Sequence, residues 1–256
     1  MTKAPFAALA LFFTAASGVS NAAEIKVLSS QNMRGVLSKL TPAFEKATSD
    51  KLLLNYDTAV PVKNRVLAGE LVDVAITQRT LIEELSTQQK IVGPITDIAH
   101  TPFAVIVRID APRPNISMVE TFKQAVLSAA SIGYADPARG NPAGLYLPTI
   151  FQQLGIAEQV KQKTRFAPGG SNEIRQLVAA GDVAMGFGGI LDFTPPRGSV
   201  EGVQVVGILP AGLPKPFVSG AIVTGSREHG GATAYLKFLT SPEAILALRT
   251  DGFEPH

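Results

Sequence analysis

The residues of this chain that are best placed for chemistry are small and mostly uncharged, and they occupy four segments where a predicted helix begins. The segments are residues 29–32, 58–61, 136–146 and 168–173. The first backbone N–H groups of a helix lack partners within the helix and carry a partial positive charge. If several such helix beginnings face one cleft, they form a binding site for an anion. The competing interpretation is that these polar residues only cap their own helices, which is their commoner use.

The four segments supply most of the candidate ligand-binding residues. Gly144 permits a close approach of the backbone to a ligand, and residues 169–172 (GGSN) resemble an anion-binding nest of backbone amides. Pro61 suits the first turn of a helix, which leaves the N–H groups of Ala59 and Val60 free to point outward. The candidates are Ser30, Gln31, Asn32, Thr58, Ala59, Val60, Ala143, Gly144, Tyr146, Ser171 and Asn172.

The sequence contains no recognisable catalytic or metal-binding motif. It has no cysteine, and its histidines, His100, His229 and His256, lack the spacing of metal ligands. It also has no G-x-S-x-G elbow, Walker loop or H-E-x-x-H pattern, so we expect neither a metal nor a cofactor. A basic residue near the cleft could pair with a carboxylate through two hydrogen bonds. The candidates for this role are Arg34, Lys63, Arg79, Arg139 and Arg175.

The elements that must position these segments alternate between strand and helix. Predicted strands at 25–28, 52–56 and 72–76 are each followed by a helical pattern, which indicates βαβ units and parallel strands. In open α/β sheets, ligands bind outside the carboxyl ends of the strands, and all four segments follow a strand. We therefore predict two α/β lobes with the ligand in the cleft between them. Lobe 1 is predicted to comprise residues 23–101 and 218–256, and lobe 2 residues 102–217.

The first 22 residues have the pattern of a cleavable export signal. Lys3 is followed by an apolar run of about a dozen residues, and Ser20-Asn21-Ala22 places small residues at a cleavage site. The run is shorter than the roughly 20 apolar residues of a transmembrane span. The formal net charge is +2 and there is no basic cluster, which argues against a nucleic-acid partner. We expect a soluble, monomeric, periplasmic protein.

Several segments together resemble the periplasmic molybdate-binding protein family, which belongs to the class II solute-binding proteins. Residues 27–32 (VLSSQN) are similar to the family's first oxyanion loop, and residues 136–137 (DP) with 142–146 (PAGLY) are the most specific match. Further similar segments are 67–74, 185–188, 237–244 and 252–253. The resemblance implies the α/β class II periplasmic binding protein fold, with a mixed sheet in each lobe and the ligand in the interlobe cleft. It also implies an ABC permease in the inner membrane as the partner.

The ligand positions of that family carry over unevenly to this chain. Its two ligand serines fall on Asn32 and Ala59, and the alanine of its P-A-G turn is retained as Ala143. A backbone donor falls within residues 172–174, and Gly189 occupies the place of a ligand tyrosine. These changes imply a roomier pocket, which favours an organic di- or tricarboxylate over molybdate as the anion.

A second hypothesis follows from the aconitate isomerase branch of the same superfamily. Residues 40–48 and 64–70 are similar to that branch. Interconversion of cis- and trans-aconitate by allylic proton transfer requires a positioned base and acid. The candidates are Tyr146, Glu173 and the Asn32 loop. Two functions therefore remain open: capture of a small anion for an ABC importer, and isomerisation of an unsaturated tricarboxylate.

Overall fold

The computed structural model describes residues 22–194 and 200–256. The predicted export signal, residues 1–22, lies outside the described residues except for Ala22. Among the described helices, none combines the length and the apolarity that a membrane span requires.

Strands and α-helices alternate along most of the described chain. The strands are β1 (Glu24–Ser30), β2 (Lys51–Asp57), β3 (Val74–Gln78), β4 (Ile91–His100), β5 (Phe103–Arg108), β6 (Ile132–Ala135), β7 (Thr164–Ala167), β8 (Met185–Gly189), β9 (Val203–Ile208), β10 (Phe217–Val223) and β11 (Glu254–Pro255). The helices are α1 (Arg34–Thr48), α2 (Ala59–Leu67), α3 (Arg79–Thr87), α4 (Val119–Ser128), α5 (Pro142–Gln153), α6 (Ala157–Lys161), α7 (Ser171–Ala180), α8 (His229–Phe238) and α9 (Pro242–Thr250).

The first sheet has the strand order β11-β4-β10-β3-β1-β2. Strand β1 runs parallel to β2 and β3, whereas β10 runs antiparallel to β3 and β4. The register places Ser29 opposite both Tyr56 of β2 and Ile76 of β3. The carboxyl ends of these three strands therefore lie side by side, and the loops that follow them begin at the same edge of the sheet. We call this sheet with its helices lobe 1.

The second sheet has the order β7-β6-β8-β5-β9. Strand β6 is parallel to β7 and β8, and β5 is antiparallel to β8 and β9. We call this sheet with its helices lobe 2. The predicted fold class, α/β with a mixed sheet in each of two lobes, is confirmed.

Helices cover both faces of each sheet. In lobe 1, α1 and α8 bury Phe44 and Tyr235 against one face, and α2 buries Val66 against the other. In lobe 2, α5 contributes Phe151 to one core and α7 contributes Ile174 to the other. Each such side chain contributes roughly 1.5–3 kcal/mol through its burial. A strand buried on both faces needs apolar residues throughout, which explains the nearly continuous apolar character of the central strands.

Two segments connect the lobes. Residues 101–102 join β4 to β5, and residues 209–216 join β9 to β10. Lys215 in the second connection forms an ion pair of 2.6 Å with Glu254 of β11, which pairs with β4 opposite His100. Burial, reinforced by the charge of Lys215, keeps the pKa of His100 below its usual value. The second connection therefore contacts lobe 1, whereas the first contacts lobe 2, where the Pro102 carbonyl oxygen accepts a hydrogen bond of 2.9 Å from the Ile190 N–H.

The sequence patterns did not predict β4 or β7. Strand β4 contains Gly93 and Pro94, two residues that normally interrupt a strand. Its pairing with β10 is irregular at this place, with a register shift between Gly220 and Ile222. The irregularity accommodates the proline, which has no N–H group to donate to the sheet.

Candidate functional site

A cavity of about 270 Å³ lies between the two lobes. On the lobe 1 side it is lined by residues at the carboxyl ends of β1, β2 and β3, and on the lobe 2 side by the loops after β6 and β7. The lining residues are Ser30, Gln31, Asn32, Thr58, Ala59, Gln78, Ala135, Arg139, Gly140, Asn141, Pro142, Pro168, Gly169 and Gly170. All four segments identified from the sequence therefore contribute to one cavity.

Three of the helix beginnings at the cavity lack a side-chain cap. Ser30 precedes the 3-10 turn that leads into α1, Thr58 precedes α2 and Gly170 precedes α7, and none of these positions provides a capping hydrogen bond from a side chain. Uncapped backbone N–H groups of α1 and α2 stay available to a ligand. At α7, the N–H groups of the lining residues Gly169 and Gly170 are already paired with the Glu173 carboxylate and the Ala167 carbonyl oxygen. At α5, in contrast, Asn141 Oδ1 accepts a hydrogen bond of 3.0 Å from the N–H of Ala143. The donor expected at Ala143 is therefore already paired, and Ala143 does not line the cavity.

Two carboxamide groups in the cavity have paired oxygen atoms and unpaired nitrogen atoms. The Ser30 hydroxyl donates to Asn32 Oδ1 at 2.8 Å, and the Thr77 hydroxyl donates to Gln78 Oε1 at 3.2 Å. Asn32 Nδ2 and Gln78 Nε2 are buried and have no hydrogen-bond partner among the described residues. A buried donor without a partner costs about 1–3 kcal/mol. An acceptor on a bound molecule would remove that cost.

Gln78 is not among the candidates predicted from the sequence, because the predicted strand ends at residue 76. The structure extends β3 to Gln78, and every residue of this strand is buried. The available signal was a polar pair, Thr77-Gln78, at the carboxyl end of an otherwise apolar strand.

Arg139 is the basic side chain that lines the cavity. It forms no ion pair with a described residue, and none of the described lining residues is acidic. The other basic candidates are engaged elsewhere: Arg34 over the ring of Tyr56, Lys63 with Glu84, Arg79 with Glu83 and Asp97, and Arg175 with Asn172 and the backbone of Glu201. The described part of the chain contains no cluster of His, Cys, Asp and Glu that could hold a metal ion. The described wall of the cavity therefore presents hydrogen-bond donors and one positive charge.

Comparison with known proteins identifies the family. Residues 25–254 match the family model of the bacterial extracellular solute-binding proteins. This chain belongs to that family. The solute-binding protein is also 30% identical over 239 residues to an aconitate isomerase from a Pseudomonas species, and the match covers 90% of this chain and 87% of that protein.

Further comparisons relate this solute-binding protein to molybdate-binding proteins. It is 29% identical over 181 residues to the molybdate-binding protein ModA of Rhodobacter capsulatus, a match that covers 59% of this chain and 69% of that one. Its fold matches that of the periplasmic molybdate-binding protein of Azotobacter vinelandii with a TM-score of 0.61 at 18% identity, covering 90% and 98% of the two chains. The predicted resemblance to a molybdate-binding-like family with an aconitate isomerase branch is confirmed.

Two of the candidate residues of the solute-binding protein contact the opposite lobe. Val60, in α2 of lobe 1, packs against Gly140 of lobe 2 so closely that a Cβ atom on Gly140 would lie 2.8 Å from the Val60 nitrogen. Tyr146, in α5 of lobe 2, interacts with the Thr80 side chain and the Phe217 backbone of lobe 1, and burial raises the pKa of its hydroxyl. Neither Val60 nor Tyr146 lines the cavity. Their contacts hold the lobes together beside it.

The remaining candidates lie outside the cavity wall. Gly144 packs against lobe 2 backbone, since a Cβ atom there would lie 2.6 Å from the Ala135 carbonyl oxygen. Asn172 accepts a hydrogen bond from Arg175 within α7. Ser171 is buried, and Gly189 is the last residue of β8. Of the twelve candidates, five line the cavity: Ser30, Gln31, Asn32, Thr58 and Ala59.

Proposed function

We propose that this protein captures a small anion in the cavity between its lobes and delivers it to an ABC permease in the inner membrane. The observation that carries this proposal is the composition of the cavity wall. Uncapped helix beginnings, two residues with unpaired carboxamide nitrogens and Arg139 line one space, with no acid among the described lining residues. Such a wall attracts negative charge through main-chain and side-chain donors. The protein acts as a periplasmic monomer after removal of residues 1–22.

The favoured ligand is an organic di- or tricarboxylate and not molybdate. The cavity of about 270 Å³ is slightly smaller than the roughly 300–1,000 Å³ of pockets that hold drug-sized molecules, which suits a smaller organic acid. Ionised carboxylates accept hydrogen bonds at both oxygens, which suits a wall made of donors. The 30% identity to a protein named aconitate isomerase further supports a carboxylic acid ligand.

Binding closes the lobes around the ligand, as in hinged binding proteins. The contacts between Val60 and Gly140 and between Tyr146 and Thr80 cross the cleft. A ligand that accepts hydrogen bonds from both lobes would stabilise the arrangement in which these contacts form. The two packed connections between the lobes would guide this closure.

Thermal unfolding with a panel of anions tests the proposal. The panel contains molybdate, tungstate, sulfate, citrate, cis-aconitate and trans-aconitate. A ligand present at 100 times its dissociation constant stabilises the folded state by about 2.7 kcal/mol, which for a chain of this size raises the melting temperature by roughly 5–11 °C. We expect the tricarboxylates to give this shift and molybdate to give less. If no anion in the panel raises the melting temperature at millimolar concentration, the proposed capture is wrong.

Isomerisation of aconitate is the second candidate function, and the identity to the Pseudomonas protein favours it. Against it, none of the described lining residues is Asp, Glu, His, Lys, Cys or Tyr, the usual groups for proton transfer. Glu173, a candidate base, instead accepts a hydrogen bond of 2.6 Å from the Gly169 N–H. Incubation with trans-aconitate, followed by NMR, distinguishes the two functions. We expect binding without formation of the cis isomer, and turnover would establish the isomerase instead.

A further inference from the structure

Gln78 combines deep burial, an unpaired donor and a place in the cavity wall. Its exposed fraction is 1%, and its Nε2 atom has no partner among the described residues. Tyr235, which also has an unpaired buried polar atom, lies in the core of lobe 1 and does not line the cavity. Gln78 is therefore a buried polar side chain whose missing partner can be supplied from the cavity.

The orientation of the Gln78 carboxamide is set by Thr77. The Thr77 hydroxyl is fully buried and lies 3.2 Å from Gln78 Oε1 and 3.4 Å from the Ala59 carbonyl oxygen. The Ala59 oxygen is in the first turn of α2, where it accepts a helix hydrogen bond. The Thr77 hydroxyl therefore donates its proton to Gln78 Oε1. The Gln78 amide nitrogen remains without a partner among the described residues.

Asn32 presents a second amide nitrogen from the neighbouring strand. Strands β1 and β3 are adjacent and parallel, with Ser29 opposite Ile76, and adjacent strands lie about 4.8 Å apart. Asn32 follows the end of β1, and its oxygen is held by Ser30 just as that of Gln78 is held by Thr77. A carboxylate has two acceptor oxygens with two lone pairs each, so one carboxylate can accept from both amides.

We infer that Asn32 and Gln78 form a carboxylate subsite on lobe 1, which we call the amide pair, and that Arg139 on lobe 2 binds a second carboxylate of the same ligand. This inference rests on the proposed capture of an organic anion and specifies the ligand as a molecule with at least two ionised carboxylates. The free ends of the amide pair are both hydrogen-bond donors. A protonated carboxyl group would place its own O–H donor against them, so an ionised carboxylate fits better. The ligand therefore bridges the lobes with a separate carboxylate on each.

Titration calorimetry with citrate and trans-aconitate tests the amide pair. In Gln78→Leu the donor is lost with little change in size, and we expect the affinity to fall about 10- to 100-fold, the usual effect of losing a hydrogen bond to a charged group. In Gln78→Glu a carboxylate replaces the donor, and we expect a larger loss. Relative to wild type, that loss should shrink as the pH falls towards 5, because the introduced carboxyl group becomes protonated and can donate. The matched control is Gln159→Glu, which introduces the same charge at an exposed position of α6 and should leave the affinity unchanged.

The melting temperature of the unliganded variants separates a binding role from a structural one. If Gln78 serves the ligand, unliganded Gln78→Leu melts no lower than wild type. An unpaired buried donor has been removed, and the Thr77 hydroxyl, which loses Gln78 Oε1, can donate to the Ala59 carbonyl oxygen 3.4 Å away instead. A lower melting temperature together with unchanged affinity would overturn the inference. Wild-type binding that both Gln78 variants retain would also overturn it, while leaving the proposed capture intact. Failure of the wild type to bind either acid would instead reject the carboxylate ligand itself.

Discussion

The two ends of strand β3 carry buried polar residues that differ in their hydrogen bonding. Asp73, just before the strand, is 5% exposed, and its carboxylate accepts hydrogen bonds from the Lys26, Arg227 and Glu228 backbone and from the Ser226 hydroxyl. Gln78, the last residue of the strand, keeps an unpaired amide nitrogen. Polar groups inside proteins are nearly always paired, so the unpaired nitrogen of Gln78 is consistent with the proposed ligand site at this end of the strand.

The cavity near Asp73 and the interlobe cavity near Gln78 also differ in whether their polar groups are paired. A cavity of about 240 Å³ near Asp73 is lined by acids and bases together, among them Lys26 and Glu70. Glu70 pairs with Arg65 at 2.6 Å, and Asp73 has its full set of donors. The charges there stabilise the fold by joining β1, β3 and the turn after β10. Among its described lining residues, the interlobe cavity instead has one basic residue and unpaired donors, as the proposed anion site requires.

The largest effect on stability should come from removing the hydrogen bonds of Asp73. Asp73→Ala leaves three backbone N–H groups and the Ser226 hydroxyl without an acceptor. We expect a loss of about 3–4 kcal/mol of unfolding free energy, which lowers the melting temperature by roughly 6–16 °C. Asp73→Asn keeps one acceptor oxygen and should lose less. Denaturation followed by circular dichroism measures both, and a smaller loss for Asp73→Ala than for Gln78→Leu would contradict the comparison.

Acid should weaken the hydrogen-bonded end of β3, because it protonates the Asp73 carboxylate. Burial alone would raise the pKa of Asp73, but the hydrogen bonds that its carboxylate accepts hold the pKa below its usual value. A carboxyl group with a lowered folded pKa contributes stability above its unfolded pKa of about 3.9, and this stability is lost as the pH falls through the folded value. The melting temperature of the wild type should fall steeply below about pH 4. Asp73→Asn should show a smaller fall, and equal falls would show that other carboxylates dominate.

An intermediate effect on ligand affinity should follow from a substitution that obstructs the contact between Gly140 and Val60, which crosses the cleft beside the cavity. Gly140 has φ of +70° and packs on Val60, whereas Gly155 has φ of +69° and has no atom within 4 Å of a Cβ placed on it. Alanine at either position costs about 1–2 kcal/mol because of its left-handed backbone. Only Gly140→Ala places a methyl group against the opposite lobe, so we expect its affinity for the preferred anion to fall about 10-fold, equivalent to 1.4 kcal/mol. Calorimetry on both variants checks this, and equal affinities would mean that the Val60 contact plays no part in binding.

The smallest effect should come from Arg139, because it is exposed. Arg139→Gln removes the positive charge of the cavity, and exposed charge pairs contribute roughly 0.2–1 kcal/mol. We expect an affinity loss of up to about 5-fold at low salt, which disappears as the salt concentration rises. Arg165→Gln removes an exposed charge of β7 outside the cavity wall and provides the control. A salt-independent loss at Arg139 would indicate a stronger, desolvated contact.

The positions of the loops could be predicted from sequence, but the pairing of their atoms could not. The four segments follow strands and begin helices, and local patterns reveal both properties, so their meeting at one cavity was predictable. Whether a donor is free depends on a neighbouring side chain. Asn141 Oδ1 accepts a hydrogen bond from the Ala143 N–H, and the Thr77 hydroxyl donates to the Gln78 oxygen. Tyr146 was expected at the ligand, but its hydroxyl contacts Thr80 across the cleft. Such outcomes are decided by tertiary geometry, which periodicity and residue type do not encode.

If an anion pairs with the two buried amide nitrogens, as proposed, their unpaired state also links the supply of ligand to the lifetime of the protein in the cell. The amide nitrogens are desolvated when the chain folds, before any anion is present, so the empty form keeps a cost that the filled form does not. Protein without ligand therefore samples unfolded states more often and is more exposed to proteases, whereas binding shifts the population towards the folded state. The steady-state amount of this protein should consequently rise with the supply of its anion, even at a constant rate of synthesis.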